Sequence, residues 1–502
     1  MLFEIKTRAA SNKIKPNYKS AVVKFLVKSK EMEKEFESFE DLLGVKFNKV
    51  LKNDFLKNES KKLELINNTG RPDLIFTYKI DLEKSFNVDY FRDTLSELIQ
   101  NLKDKPVRYL DLMLPEFDHF SSKFKSERYY YQSVAEGVLL GNYTFDSYKT
   151  EEKKEKELTV IFHSSNPVEF KKSITVATNL VNSVYFSRDL VNEPAITLYP
   201  AEFVKRLRDE LSKAGVKVKA YDEKELKKRK MNAILAVGGA SIHPPRLIIL
   251  HYKPKQKAKR KITLVGKGVT YDSGGLSIKP TDGMVEMKAD MAGAATVAGT
   301  IKAAAMLKLP VELTGVIPAV ENMISGNSYK PGDIVRTSSG KTIEVKNTDA
   351  EGRIVLADAL EFASKGKPDE IIDFATLTGA IAVALGLYAA GIFSKNDAMT
   401  GLLTRAGEIT YEKVWRMPFW DEYKKLLDSD IADISNLGPR WGGAITAGKF
   451  LEHFVDENIS WMHVDLAGPA IKNDFKSYTK KFDTGFGVRL MVEYFNGIIA
   501  GI

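Results

Sequence analysis

Apolar positions along the chain change period several times, and each change marks an element. Ala21–Val27 is an apolar run of strand length, and Tyr90–Leu102 spaces its apolar residues three and four apart, as a helix does. Residues 30–62 are dense in Lys and Glu and predict a solvated face or loop. The alternating charges of Glu151–Glu157 predict an exposed turn before a strand over Leu158–His163. A long helix is expected from Pro167 to Leu190, on the spacing of Ile174, Val176, Leu180, Val181, Val184 and Leu190. It stops at Asn192-Glu193-Pro194, because the residue before proline disfavours the helical region.

From about residue 195 helical and strand patterns alternate. Pro200–Ala214 predicts a helix, and Val216–Tyr221, Arg246–Tyr252 and Ile262–Val265 predict strands. The basic run Lys253–Lys261 between the last two predicts a solvated hairpin connection; an anion patch is the alternative. Asp290 precedes a helix of small residues ending at Met306. A strand over Val311–Pro318, a hairpin near Ser338–Thr342, a helix over 353–365 and a strand at Ile371–Thr376 continue the series. The reading is an α/β protein: a first domain over 1–165, a linking helix over 166–194, and a larger domain over 195–502. Alternation of this kind predicts a mostly parallel central sheet flanked by helices. Such sheets bind ligands beyond the carboxyl ends of their strands, where loops 267–280 and 376–380 would lie.

Composition narrows the class. At 502 residues, two domains are expected. No apolar run approaches the roughly 18–20 residues that cross a bilayer, and Met1–Arg8 lacks the apolar core of a signal peptide, so a cytoplasmic protein without membrane partners is expected. The absence of cysteine excludes disulfides, thiol nucleophiles and Cys-ligated zinc. The net charge of +9 is a modest lysine-dominated excess. With no aromatic–basic platform and no zinc finger beside it, nucleic acid is not an expected partner.

Several chemistries are missing as well. There is no His-Glu-x-x-His among the six histidines, no Gly-x-Ser-x-Gly, no Walker A sequence and no complete dinucleotide fingerprint after Gly266-Lys-Gly268. What remains is a set of charged residues at expected strand and helix ends: Lys267, Asp272, Lys279, Asp290, Asp349 and Glu351, with Arg353 beside the last two. They can neutralise one another as ion pairs. They can also hold a pair of divalent cations, since oxygen-rich ligation suits Zn, Mn, Co or Mg and an unpaired buried carboxylate is costly. Two such ions can lower the pKa of a shared water and supply a nucleophile without Ser or Cys.

At these residues the chain resembles the leucyl aminopeptidase family of dinuclear metal exopeptidases. The heptapeptide Asn347-Thr-Asp-Ala-Glu-Gly-Arg353 carries the resemblance, with Val265–Pro280, Met284–Ala295, Glu321-Asn-Met, Tyr329–Asp333, Ala375–Ala380, Trp441–Gly448 and His463–Gly468. It runs in order over 188–490, and it implies an α/β fold for the N-terminal domain too.

The resemblance implies roles. Asp272 and Glu351 would bridge two metals, Asp349 would serve the tighter site, and Lys267 and Asp290 the exchangeable one. A ligating lysine must be neutral, which two adjacent cations favour. Lys279 would stay charged and stabilise the oxyanion. Arg353 would hold a bicarbonate that relays the proton. Leu377 and Gly379 would meet the substrate backbone, while Met287, Thr376, Gly379, Ala467 and Ala470 would line the pocket for a Leu-like first side chain. The family also implies a homohexamer acting on short peptides. Two other readings stand beside this one: a DNA-contacting protein, as some relatives are, and a structural oligomer without chemistry.

Overall fold

The computed structural model describes residues 1–502 except 11–18, 59, 68–69, 71, 85 and 152–155. The expected turn at Glu151–Glu157 therefore lies largely outside the described residues. The chain forms two compact units, Met1–Val181 and Asn182–Ile502. Their boundary falls inside the helix Pro167–Asn192, two residues longer than its apolar spacing marks.

The first unit is built on a six-stranded sheet of β1 (Leu2–Ala9), β2 (Ser20–Val27), β3 (Lys62–Ile66), β4 (Leu74–Ile80), β5 (Tyr109–Met113) and β6 (Glu157–Ser164). Its order is β1-β6-β5-β2-β4-β3, parallel throughout except for the edge strand β3. The charged stretch 30–62 corrects one expectation. It folds as two helices, Met32–Leu43 and Lys49–Lys57, that bury Met32, Phe36, Phe39, Leu43 and Phe55 in a core with Val22 and Leu26. The lysines and glutamates solvate one face, as expected, but the aromatic stripe four and three apart makes the other face core.

The second unit carries a nine-stranded sheet. Its strands are β7 (Lys217–Tyr221), β8 (Arg246–Tyr252), β9 (Lys261–Gly266), β10 (Gly268–Asp272), β11 (Glu312–Asn322), then, after the hairpin β12 (Ile334–Arg336) and β13 (Thr342–Glu344), β14 (Glu370–Ala375), β15 (Ala390–Phe393), β16 (Val414–Arg416) and, past the short β17 (Ile434–Ser435), β18 (Ser460–Asp465). The order is β16-β15-β18-β14-β9-β11-β8-β7, with β10 paired to β11. The centre, β18-β14-β9-β11, is parallel, and antiparallel pairs begin at β15 and β8. β11 lies between β8 and β9, so Lys253–Lys261 is not a hairpin connection but an arch over one intervening strand.

Both faces of this sheet are covered, as a parallel centre requires. Leu264, Ile372, Phe374, Met462 and Val464 point into one core with the helices Ala292–Met306 and Val488–Ala500. Val265, Ile371, Ala375 and Trp461 point into the other, with the helices Glu351–Lys365 and Gly443–Glu452. The small residues of Ala292–Met306 let that helix press on the strands: a Cβ at Gly293 would lie 2.0 Å from the Phe374 carbonyl oxygen. Among the described residues no helix is long and apolar enough to cross a membrane.

Candidate metal centre

The carboxyl ends of β9, β10, β11, β14 and β18 meet the start of the helix Glu351–Lys365, and the charged residues collect there. Lys267 follows β9, where its backbone N–H donates to the Phe374 carbonyl and its carbonyl accepts from Ala294 N–H, both at 2.9 Å. Its ammonium lies 2.7 Å from Asp290 Oδ1 and 2.8 Å from Glu351 Oε1, and it donates to the Thr376 carbonyl at 3.2 Å. Gly352 makes room for it, since a Cβ there would sit 2.5 Å from Lys267 Cε. Asp272, at the end of β10, accepts from the Gly274 N–H (2.9 Å) and Asn322 Nδ2 (2.8 Å) through Oδ1. Lys279 closes the set, 2.9 Å from Asp272 Oδ2 and 2.5 Å from Asp349 Oδ1.

Thr348 ties the 272–279 loop to the heptapeptide Asn347–Arg353, and Asn436 braces the heptapeptide itself. Gly274 and Gly275 adopt positive φ (86° and 62°), a conformation that favours glycine, and bend the 272–279 loop back on itself. Thr348 joins that loop to the heptapeptide: its hydroxyl donates to the Gly274 carbonyl (2.7 Å) and accepts from Ser277 N–H (2.8 Å). Its carbonyl accepts from Asn322 Nδ2 (3.0 Å) and the Tyr329 hydroxyl (2.7 Å). On the far side Asn436 Nδ2 donates to the Asn347 carbonyl (2.6 Å), and the Asn436 carbonyl accepts from Arg353 (2.9 Å).

The electrostatics are those of a site short of positive charge. Carboxylate oxygens of Asp272, Asp290 and Glu351 all lie within 4.8 Å of one another, and all three residues are buried. Burial, then the neighbouring Glu351 and Asp272, push the Asp290 carboxyl well up; burial, then Asp272, raise Glu351; burial raises Asp349. Burial pulls the Lys267 pKa down, but Asp290, Glu351 and Asp272 more than offset it and hold the ammonium above the ordinary lysine range. The same contest, with Asp272 and Asp349 as partners, raises Lys279. Burial lowers the Arg353 guanidinium to about 10.

Ion pairing therefore occurs, but it does not complete the cluster. Asp290 Oδ2 and Glu351 Oε2 are buried with no hydrogen-bond partner, as is Arg353 Nε. Buried charged oxygens without partners are costly, and converging carboxylates of this kind fit a divalent cation. Asp272, Asp290, Asp349, Glu351 and Lys267 are the residues that could hold metal, and the free edge of Arg353 fits a small anion.

The remaining candidates fall into two groups. Thr376 donates from its hydroxyl to Asp290 Oδ1 (2.8 Å), Leu377 N–H is bonded to Asp465 Oδ1 (3.1 Å), and Gly379 is exposed at the start of the helix Gly379–Leu385. Half-buried Met287 sits three residues before Asp290 in a short 3-10 turn, and Ala467 is half-buried just after β18. Ala470 is buried within the apolar core alongside Phe486 and Leu490. Thr348, Asn322, Gly352, Asn436 and Asp465 also build the site, although their residue types alone assign them no role. Thr348 and Gly352 lie in the heptapeptide, and Asn322 and Asp465 in Glu321-Asn-Met and His463–Gly468 at the ends of β11 and β18; that position is the signal for all but Asn436.

Residues 185–492 match the profile described as the cytosol aminopeptidase family, catalytic domain. A probable cytosol aminopeptidase of Geotalea uraniireducens (strain Rf4) is 39% identical over 470 residues, covering 92% of this chain and 94% of the relative. One from Aquifex aeolicus (strain VF5) is 42% identical, with 84% of each chain covered. Among solved structures, the bottromycin maturation enzyme BotP in complex with Mn is similar, with a TM-score of 0.82 and 30% identity over 95% of this chain and 99% of that one.

Proposed function

The chain belongs to the cytosol aminopeptidase family, which makes it a metal-dependent aminopeptidase, and from that premise we propose a dinuclear site that removes Leu-like N-terminal residues from short peptides. The observation that carries the reading is the trio of buried carboxylates within 4.8 Å of one another, two of them with an oxygen that nothing in the protein satisfies. Asp272 and Glu351 would bridge the ions, Asp349 would complete one site, and Lys267 with Asp290 the other. Zn, Mn, Mg and Co all suit this donor set. When bound, the ions supply Lewis acidity and a shared water of lowered pKa.

The chain's own groups do the rest. Lys267 has to shed its proton to act as a ligand, and the carboxylates that hold it charged are those the cations would claim. Lys279, whose ammonium lies 2.9 Å from Asp272 and 2.5 Å from Asp349, would stay charged as a group that binds no metal and face the negative charge that develops on a scissile carbonyl. Arg353 presents a buried guanidinium that would hold bicarbonate, whose chemistry is to accept a proton and return it. Leu377 has already committed its N–H to Asp465, so its carbonyl is the main-chain group it can offer a peptide. Met287, Thr376, Gly379 and Ala467 would form the apolar and small surface around a Leu-like side chain, and Ala470, buried in the apolar core, would line it only from beneath. A cytoplasmic homohexamer is part of the proposal, and light scattering tests the assembly.

The decisive experiment measures leucine amide hydrolysis before and after exhaustive chelation, and in Glu351→Ala. Activity that survives both sinks the reading. Lys279→Met should lower kcat while the protein keeps its metal; loss of metal would mean that Lys267 and Lys279 have exchanged roles.

A further inference from the structure

Asp465 ends β18 directly opposite Ala375, which ends β14. Its side chain is fully buried and collects three donors. Oδ1 accepts from Leu377 N–H at 3.1 Å and from Ala467 N–H at 3.3 Å, and Oδ2 accepts from the Thr378 hydroxyl at 2.7 Å. The Thr378 oxygen in turn accepts from Ile381 N–H at 3.1 Å and caps the helix Gly379–Leu385. At its other end the same segment is fastened by Thr376, whose carbonyl accepts from Lys267 and whose hydroxyl donates to Asp290. Residues 376–379 are thus pinned between the proposed metal ligands and one buried carboxylate, which also grips the facing wall at Ala467.

A carboxylate is the side chain this position demands. Three donors converge on two oxygens, whereas an amide offers a single acceptor oxygen and turns an NH2 toward a donor. Burying that charge is costly unless its acceptors are filled, so the bonds hold as a set. No group on Asp465 reaches the carboxylate cluster itself. Its partners are the Leu377 N–H, the Thr378 hydroxyl and the Ala467 N–H.

We propose that Asp465 is the positioning residue for substrate: by tying Leu377 and Thr378 to Ala467 it sets the width of the first-residue pocket and the placement of the Leu377 carbonyl. This rests on the reading that 376–379 and Ala467 face the peptide.

The test compares wild type, Asp465→Asn, Thr378→Ala and Thr378→Ser, all loaded with Mn. Leucine and alanine p-nitroanilides report KM, kcat and preference; metal content and deuterium exchange of the 376–381 segment are read in parallel. Asp465→Asn should keep wild-type metal content, raise KM for the leucine substrate about tenfold with a smaller change in kcat, and narrow the Leu-over-Ala preference. Exchange over 376–381 should quicken while that over 265–275 does not. Thr378→Ala should move KM and exchange the same way, and Thr378→Ser should restore both. Wild-type KM, preference and exchange in Asp465→Asn would overturn the proposal, as would metal loss or faster exchange throughout the unit, which mark a general structural role. Absence of turnover in the metal-loaded wild type would sink the aminopeptidase reading instead. The exchange of 376–381 in Asp465→Asn and Thr378→Ser would then decide alone whether the latch exists.

Discussion

Adding one methyl group at Gly352 separates the folding role of the site from its chemical role. Gly352 lies in the first turn of the helix Glu351–Lys365, against the buried end of Lys267. A Cβ there would stand 2.5 Å from Lys267 Cε and 2.6 Å from its Nζ, where ordinary contact begins at 3.4 Å. The lysine must shift by about 1 Å, which disturbs an ammonium now 2.7 and 2.8 Å from oxygens of Asp290 and Glu351. The obstructing atoms are the tip of a flexible side chain, and alanine is the better helix former, by up to about 1 kcal/mol in a helix interior. Folding stability in Gly352→Ala should therefore stay within about 1 kcal/mol of wild type. Displacement of about 1 Å at a reacting centre costs about 100-fold in rate, and a displaced Lys267 also weakens the site it shares with Asp290. Measurement of kcat/KM on leucine amide, with metal content by mass spectrometry and unfolding in urea, reads both effects on one protein. Gly401→Ala is the control, because its Cβ meets nothing within 4 Å on the helix Asp397–Thr410. Full activity and full metal content in Gly352→Ala would refute the placement of Lys267 in the centre.

Three further outcomes follow from the same geometry. Gly293→Ala meets the Phe374 carbonyl at 2.0 Å, a backbone atom with no room to retreat, so it should cost more than about 4 kcal/mol and leave little folded protein; a wild-type melting temperature would contradict the helix–sheet spacing. Asp358, buried against the N–H groups of Ala233, Ile234 and Ser338, has its carboxyl raised by burial to about 7 from an ordinary 3.8. The folded state then holds that proton more tightly than the unfolded chain, so Asp358 makes stability fall as pH rises from about 4 to about 7, with no further change above. The unfolding free energy of Asp358→Asn should change less steeply over that window, and an unchanged slope would exclude the titration. Removing metal should lower the melting temperature, since an ion at 100 times its Kd adds about 2.7 kcal/mol to the folded state. Equal melting curves with and without chelator would argue against binding at the carboxylate trio.

The sequence made the alternating elements and the charged residues legible because both are local signals. Strands β9 and β14 begin and end within a residue of where the apolar period places them, whereas β11 runs through Pro318, its expected end, to Asn322. Two misreadings have physical causes. Between residues 30 and 62 charge density masked a stripe, Met32, Phe36, Phe39 and Leu43, whose spacing of four, three and four is itself a helical signal. The arch after β8 read as a hairpin because neighbouring strands usually pair; its length also suffices to pass over β11, and only the competition among strands for partners decides.

What no local pattern reveals is which polar groups share a donor. Thr348 is an ordinary threonine until the sheet brings Gly274 and Ser277 to its hydroxyl, and Asp465 is one more acid until β14 ends opposite it. In a parallel centre, successive strands deliver their carboxyl ends to one edge whatever their distance in sequence. Lys267, Asp272, Asn322, Thr376 and Asp465 are all at or just past such ends, and the lysine and the two aspartates are all buried. Polar residues that follow buried strands at this edge are satisfied by one another, by the backbone of the facing loops and by a ligand. An acid in that position is therefore best read as bonded across the edge as well as within its own segment, as Asp465 is to Leu377 and Thr378 beyond its local bond to Ala467.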